Sequence, residues 1–147
     1  MLKATDILVP VDFSATSLNA VRVAVGLASP GGDLTLLHVI DKDFVEDAVA
    51  AGMGSTEEIT ARLREQAEAN FASALEGLEA NDANVERMVV VGIPFVEILK
   101  IARDLDLPMI VMGTRGRSTQ EAEELLFGST AEKVLRGTRV PVLCVPF

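Results

Sequence analysis

The sequence predicts a three-layer α/β fold, in which helices cover both faces of a doubly wound, five-stranded parallel sheet. Strand-like apolar runs alternate with helix-like amphipathic segments along the whole chain. Aromatic residues make up only 4% of the 147 residues, so the core must be built from Val, Leu, Ile and Ala. Such aliphatic cores are typical of parallel sheets that are buried on both faces. The length fits one domain, and we expect it to span residues 1–147.

The first strands and the first helix are predicted from apolar runs and turn residues. Buried strands are expected at residues 6–11 and 34–40. Ser14 predicts the N-cap of a helix that reaches about Ala28. Residues 30–32, Pro-Gly-Gly, are then expected to turn the chain.

A long helix is predicted in the middle of the chain. Residues 41–54 are acidic and contain glycine, and we expect them to form a connection. Ser55 and Glu58 have capping-box spacing, which predicts the start of the helix. Its apolar residues recur three and four apart as far as Leu78, and residues 81–84 are expected to end it.

Three more strands and two helices are predicted in the second half. The strands are expected at residues 86–91, 108–112 and 140–145. Pro94 suits the first turn of one helix, and residues 129–136 predict the other. Ligands of doubly wound sheets bind beyond the carboxyl ends of the strands. The residues just past the predicted strands are Asp12, Asp41, Gly92 and Gly113.

The segment after the fourth strand is suited to holding a phosphate. Gly113 and Gly116 are three residues apart directly after the strand. Glycines at such a position allow a tight turn and a close approach of main-chain amides to an anion. Arg115 and Arg117 add positive charge.

A second element suited to binding an anion follows at Gly128, Ser129 and Thr130, where a helix is expected to begin. A helix start offers free amides and a favourable dipole. Each feature also has a purely structural interpretation. Ser129 and Glu132 have capping-box spacing, so Ser129 could cap its own helix, and Gly113 could be an ordinary strand-end turn.

The sequence resembles the universal stress protein family along essentially the whole chain. The resemblance rests on ILVPVDFS at residues 7–14, LLHVI at 36–40, MGTRGR at 112–117 and GSTAEKVLRGTRVPVLCVP at 128–146. It implies a five-stranded, Rossmann-like sheet with strand order 3-2-1-4-5. One branch of the family binds ATP through the pattern G-x2-G-x9-G-[ST], and another branch lacks both the pattern and the binding.

The resemblance implies a site for an adenine nucleotide, ATP or AMP. In that site Asp12 would contact the nucleoside, Pro10 and Val11 would form the adjoining backbone wall, and Val39 would lie beside the adenine. The nucleotide-binding residues implied are Pro10, Val11, Asp12, Val39, Met112, Gly113, Arg115, Gly116, Arg117, Gly128, Ser129 and Thr130.

The glycine pattern departs from the family in one respect. Eleven residues instead of nine separate Gly116 from Gly128. The extra length falls within residues 118–124, which include Glu121, Glu123 and Glu124. These glutamates would repel a triphosphate if they turned inward. A bulged loop could accommodate two residues at small entropic cost.

Several function classes are disfavoured by composition. A net charge of −9 without a basic face argues against nucleic acid as a partner. No apolar stretch reaches 18 residues and the first apolar run is interrupted at Pro10, so we expect neither a membrane span nor a signal peptide, and a cytoplasmic location. The lone Cys144 allows no intrachain disulfide, and His38 lies within an apolar strand where a structural hydrogen bond is expected.

Three functional hypotheses follow. The first is a regulatory stress-response module that holds ATP or AMP. The second is a dimeric interaction protein of the same fold that binds no nucleotide. The third is nucleotide-dependent hydrolysis or transfer, for which bound Mg²⁺ would be the natural companion and for which the sequence shows no evident base. In each case the apolar last strand, from Val140 to Val145, is predicted to be an edge that pairs with a second copy in a homodimer.

Overall fold

The computed structural model describes residues 4–76, 78, 83–114 and 128–146, and within them five parallel strands form one sheet. The strands are β1 (Ala4–Pro10), β2 (Ala28–Asp41), β3 (Asn84–Gly92), β4 (Met109–Gly113) and β5 (Val142–Val145). Their order is β3-β2-β1-β4-β5, and every neighbouring pair is parallel. The predicted fold class and strand order are therefore confirmed. The order reverses between β1 and β4, which is the point where doubly wound sheets bind ligands.

Helices cover both faces of the sheet. They are α1 (Ala15–Leu27), α2 (Lys42–Ala50), α3 (Thr56–Leu75), α4 (Pro94–Asp104) and α5 (Ser129–Gly137). Side chains of β1 alternate between the two cores. Ile7 and Val9 pack with α1 and α3, whereas Leu8 packs with α4 and α5. None of the helices in the described ranges is long and apolar enough to cross a membrane.

Two helices begin where the sequence predicted. The backbone N–H of Ser17 donates to Ser14 Oγ at 3.2 Å and caps α1. The N–H of Glu58 donates to Ser55 Oγ at 3.1 Å and caps α3. The Ser55 hydroxyl in turn donates to the Glu58 carboxylate at 3.2 Å, so the second half of the predicted capping box is replaced by a side-chain pair.

Residues 41–54 contain helix α2, so the expectation of a mere connection was wrong. Asp41 ends β2 and also caps α2, because its Oδ1 accepts the N–H of Asp43 at 3.0 Å. Val45 and Ala48 are buried against Ile40 at the end of β2. The helix forms because these apolar side chains cover the end of the strand, although the segment is otherwise acidic.

Several boundaries differ from the prediction. Residues 30–32 do not form a turn outside the sheet, as predicted, but belong to β2. The pairing of β2 with β1 shifts register there, in a bulge. Gly31 has a φ of 79°, which explains a glycine at the bulge. Helix α3 ends at Leu75, before the predicted break, and β5 starts at Val142.

Candidate functional site

A cavity of about 650 Å³ opens at the carboxyl ends of the strands. Its walls come from the β1–α1 turn, the ends of β2 and β4, the inner sides of α2 and α3, and the starts of α4 and α5. Its volume lies in the range of sites for small molecules and cofactors. The cavity spans the switch point of the sheet, where a ligand site was expected.

Nine of the twelve residues predicted for the nucleotide site line this cavity. They are Pro10, Val11, Asp12, Val39, Met112, Gly113, Gly128, Ser129 and Thr130. The other three predicted residues, Arg115, Gly116 and Arg117, lie outside the described residues, and so do Glu121, Glu123 and Glu124. Among the strand-end residues, Asp41 also lines the cavity, whereas Gly92 is absent from its described walls.

The β1–α1 turn presents Asp12 to the cavity. The backbone N–H of Ser14 donates to Asp12 Oδ1 at 2.9 Å, which orients the carboxylate. The next residue, Phe13, has a φ of 65°, a conformation that is unfavourable for a bulky side chain. Its ring is held between those of His38 and Phe71, with centroid distances of 4.9 and 5.0 Å. Aromatic packing thus stabilises a strained turn at the cavity wall.

His38 supports this wall from β2. Its Nδ1 lies 2.8 Å from the carbonyl oxygen of Val11. A carbonyl can only accept, so Nδ1 carries the proton and donates it. The N–H of Val11 donates to the carbonyl of Leu37 at 2.8 Å, which extends the β1–β2 pairing by one residue. The structural hydrogen bond expected of His38 is present, and it fixes the backbone beside Asp12.

The start of α5 is an open helix N-terminus on the cavity wall. Its N-cap is Gly128, which offers no side chain to the first-turn amides. The interpretation of Ser129 as a cap was wrong, because Ser129 is the first residue within the helix and its side chain is exposed. Glu132 instead pairs with Arg136 at 2.8 Å. Among the described residues, no side chain caps the first turn of α5, so its amides can receive an anion.

Three other helix starts in the described chain are closed by side chains. Ser14, Asp41 and Ser55 each accept a backbone N–H from the first turn of α1, α2 and α3. Helix α4 begins with Pro94, which has no N–H to offer. Helices α4 and α5 are thus the two described helices without a side-chain cap, and α5 differs from α4 in having an N–H at its first residue.

Close packing explains why position 113 is a glycine, which the sequence alone did not reveal. A Cβ on Gly113 would lie 2.8 Å from the carbonyl carbon of Thr16 and 3.0 Å from the nitrogen of Ser17. The first turn of α1 therefore packs directly on the end of β4. The absence of a side chain at this position lets α1 lie close to the cavity floor, and this role is independent of any contact with a ligand.

One cavity wall was not predicted. It includes Phe44 of α2 and four residues of α3, namely Leu63, Gln66, Ala67 and Asn70. The α2 part was missed because residues 41–54 were interpreted as a connection. An Asp at the N-cap followed by apolar residues at Val45, Ala48 and Val49 could have predicted it.

The described walls carry carboxylates at Asp12 and Asp41 and include no Lys or Arg. No group of three His, Cys, Asp or Glu side chains within the described ranges could hold a metal ion by itself. Cys144 lies away from the described walls, and burial raises the pKa of its thiol. The arrangement combines an apolar cleft, oriented carboxylates at one side and open helix amides at the other.

Comparison with known proteins shows the same fold and family. The universal stress protein family model matches residues 4–146. Universal stress protein MJ0577 of Methanocaldococcus jannaschii is 34% identical over 152 residues, covering 95% of this chain and 93% of that protein. Its solved structure has a TM-score of 0.84 at 32% identity, covering 98% of this chain and 96% of that one.

A further solved structure, a universal stress protein in complex with cAMP, has a TM-score of 0.61 at 25% identity and covers 98% of both chains. A structure from Archaeoglobus fulgidus, at 20% identity and a TM-score of 0.61, shares the fold. The family match spans nearly every residue, and a relative above 30% identity covers almost the full length. The chain belongs to the universal stress protein family.

Proposed function

We propose that the protein binds an adenine nucleotide, ATP or AMP, in the cavity and acts as a regulatory stress-response module. The observation that carries this proposal is the convergence of four separate chain segments, at residues 10–12, 39, 112–113 and 128–130, on one cavity at the switch point. The relative solved with cAMP, which is itself an adenine nucleotide, gives independent support.

The charges on the walls favour one orientation of the nucleotide. The carboxylates of Asp12 and Asp41 would repel phosphates and suit the hydroxyls of a ribose, which can donate to them. The open first turn of α5 favours the phosphates instead. We place the nucleoside against Asp12 and Val39, and the phosphates at Gly128, Ser129 and Thr130. In this proposal Arg115, Gly116 and Arg117 complete the phosphate side.

Magnesium is part of the proposal for ATP. Mg²⁺ is usually held by substrate phosphates, several waters and one or two carboxylates, so it needs no dedicated protein cage. With Asp12 placed at the nucleoside, the phosphates and waters would hold the ion. When bound, the ion would neutralise part of the phosphate charge.

We also propose that the protein is a homodimer built through its last strand. Strand β5 is an edge of the sheet, and its Leu143 is 37% exposed. Unprotected apolar edges invite pairing with another chain. If nucleotide binding fails, this surface would be the basis of the alternative function, a dimeric interaction protein without nucleotide.

Mass spectrometry of gently purified, denatured protein tests the proposal. We expect co-purified adenine nucleotide. Adding ATP at 100 times its Kd should stabilise the fold by about 2.7 kcal/mol, which raises Tm by roughly 5 to 10 °C for a chain of this size. Persistent absence of nucleotide together with an unchanged Tm would contradict nucleotide binding and favour the alternative.

A further inference from the structure

Phe44 is an exposed aromatic side chain at the edge of the cavity. It is 57% exposed, and it lines the cavity together with Asp41, the residue that caps its helix. Seven other large apolar side chains in the described chain are similarly exposed, and none of them lines the cavity. Phe44 therefore leaves apolar surface in water beside a space large enough for a ligand that could cover it.

Helix α2 holds Phe44 in place without using its ring. The Asp41 carboxylate caps the helix with a hydrogen bond of 3.0 Å. Val45 and Ala48 are buried against Ile40 and anchor the helix on the sheet. Phe44 lies in the first turn, next to this buried side, and takes no part in that cluster. The packing of α2 thus gives no reason for an aromatic residue at this position.

The other phenylalanine on the described walls is already engaged. The ring of Phe13 packs between those of His38 and Phe71, with centroid distances of 4.9 and 5.0 Å. Within the described ranges, Phe44 makes no contact with another ring. Of these two phenylalanines, Phe44 is therefore the one whose ring face a ligand can cover.

The proposed orientation of the nucleotide brings its base to the same side of the cavity as Phe44. The nucleoside is placed against Val39 near the end of β2, and α2 follows β2 directly, with Phe44 in its first turn. The phosphates are placed at the start of α5, which follows β4. Strand β4 lies two strands away from β2 in the sheet.

We propose that Phe44 binds the nucleobase by stacking its ring on the base, an inference that rests on the proposed function for the position of the nucleotide. Aromatic rings stack on the π-faces of bases, and such stacking strengthens binding without depending on which base is present. The contact would also remove the exposed ring from water. Phe44 would thus supply affinity for the base and leave selection among bases to other groups.

Titration calorimetry with ATP on the full chain tests this inference. Phe44→Ala should lower ATP affinity by about tenfold, the usual effect of removing an aromatic ring that stacks on a base. Met53→Ala is the matched control, because Met53 is an equally exposed apolar residue just after α2 that does not line the cavity. It should leave ATP affinity within roughly twofold of the parent protein.

Fluorescence separates stacking from an indirect effect on α2. The chain contains neither Trp nor Tyr, so Phe44→Trp introduces the only indole. ATP should quench its emission saturably, with a midpoint at the Kd that calorimetry gives for the same variant, because the base would cover the indole. The emission of Met53→Trp should not change with ATP.

Equal ATP affinity in Phe44→Ala and Met53→Ala would overturn the inference. Unchanged emission of Phe44→Trp at saturating ATP would also overturn it, even if Phe44→Ala binds more weakly, since the ring would then act through the helix. Both results leave nucleotide binding intact. A parent protein that shows no saturable binding of ATP would instead overturn the proposed function.

Discussion

The backbone N–H of Gly128 donates a hydrogen bond of 2.6 Å to the carbonyl oxygen of Thr114. This bond joins the two ends of residues 115–127, the segment that is two residues longer than the family pattern. The N–H of Thr114 is itself anchored to the carbonyl of Val145 at 3.1 Å. These two bonds hold Gly113 and Ser129 in fixed relative positions on the cavity wall, whatever the length of the segment between them.

Shortening this segment should leave nucleotide binding almost unchanged. Deleting Thr119 and Gln120 restores the nine-residue spacing of the family pattern. Because the bond between Gly128 and Thr114 sets the wall geometry and loop entropy changes slowly with length, we expect ATP affinity within about twofold of the parent protein. Titration calorimetry checks this. A tenfold change in either direction would show that the extra residues act on the site.

Ser129→Asp should affect stability and binding in opposite directions. A carboxylate in the first turn of α5 complements the helix dipole and should stabilise the fold by about 0.3 to 1 kcal/mol. The same charge would repel phosphates and should weaken ATP binding by at least tenfold. Urea unfolding and calorimetry measure the two effects, with the uncharged Ser129→Asn as control. If Ser129→Asp binds ATP as well as Ser129→Asn does, the phosphates do not lie at α5.

Gly113→Ala should destabilise the fold by about 1 to 3 kcal/mol, because the added Cβ would overlap the first turn of α1. Gly26 provides the matched control. It lies within α1, and a Cβ added there would meet no atom within 4 Å, so Gly26→Ala should stabilise by about 0.5 to 1 kcal/mol. Urea denaturation followed by circular dichroism compares them. Equal stabilities would contradict the steric account of Gly113.

Leu143→Glu should convert a dimer into monomers, as measured by light scattering after size exclusion. Leu143 is 37% exposed on edge strand β5. Val145 is unsuitable for this test, because it is only 7% exposed and packs in the core of its own chain. Lys133→Glu on the exposed surface of α5 serves as a charge control. A dimer that persists in Leu143→Glu would place the interface elsewhere.

The sequence predicted the sheet well for physical reasons. Strands buried on both faces are continuous apolar runs, and the helix caps at Ser14 and Ser55 are local signals that need no tertiary information. The candidate positions next to strand ends could be predicted because topology alone brings the carboxyl ends of parallel strands together.

Helix α2, the role of Gly113 and one wall of the cavity could not be predicted, because they depend on packing between segments that are distant in sequence. Helix α2 is short and acidic, and it is stabilised by covering Ile40, which no local pattern reveals. Gly113 was interpreted as a turn or an anion contact, whereas its closest neighbours are Thr16 and Ser17 of another element. That Ala67 faces a cavity also required the position of α3 on the sheet.

Calorimetric titration of ATP into the parent protein and into Asp12→Asn tests the central claim most directly. The Asn side chain keeps an acceptor for the Ser14 N–H, but it removes the charge and replaces the second carboxylate oxygen with an amide donor. We predict one saturable site per chain in the parent protein, displaced by AMP, and affinity lower by roughly tenfold or more in the variant, since hydrogen bonds to charged groups contribute about 1.5 to 3 kcal/mol. Absence of saturable heat in the parent protein, or equal affinity in Asp12→Asn, would contradict the account of this cavity as an adenine-nucleotide site.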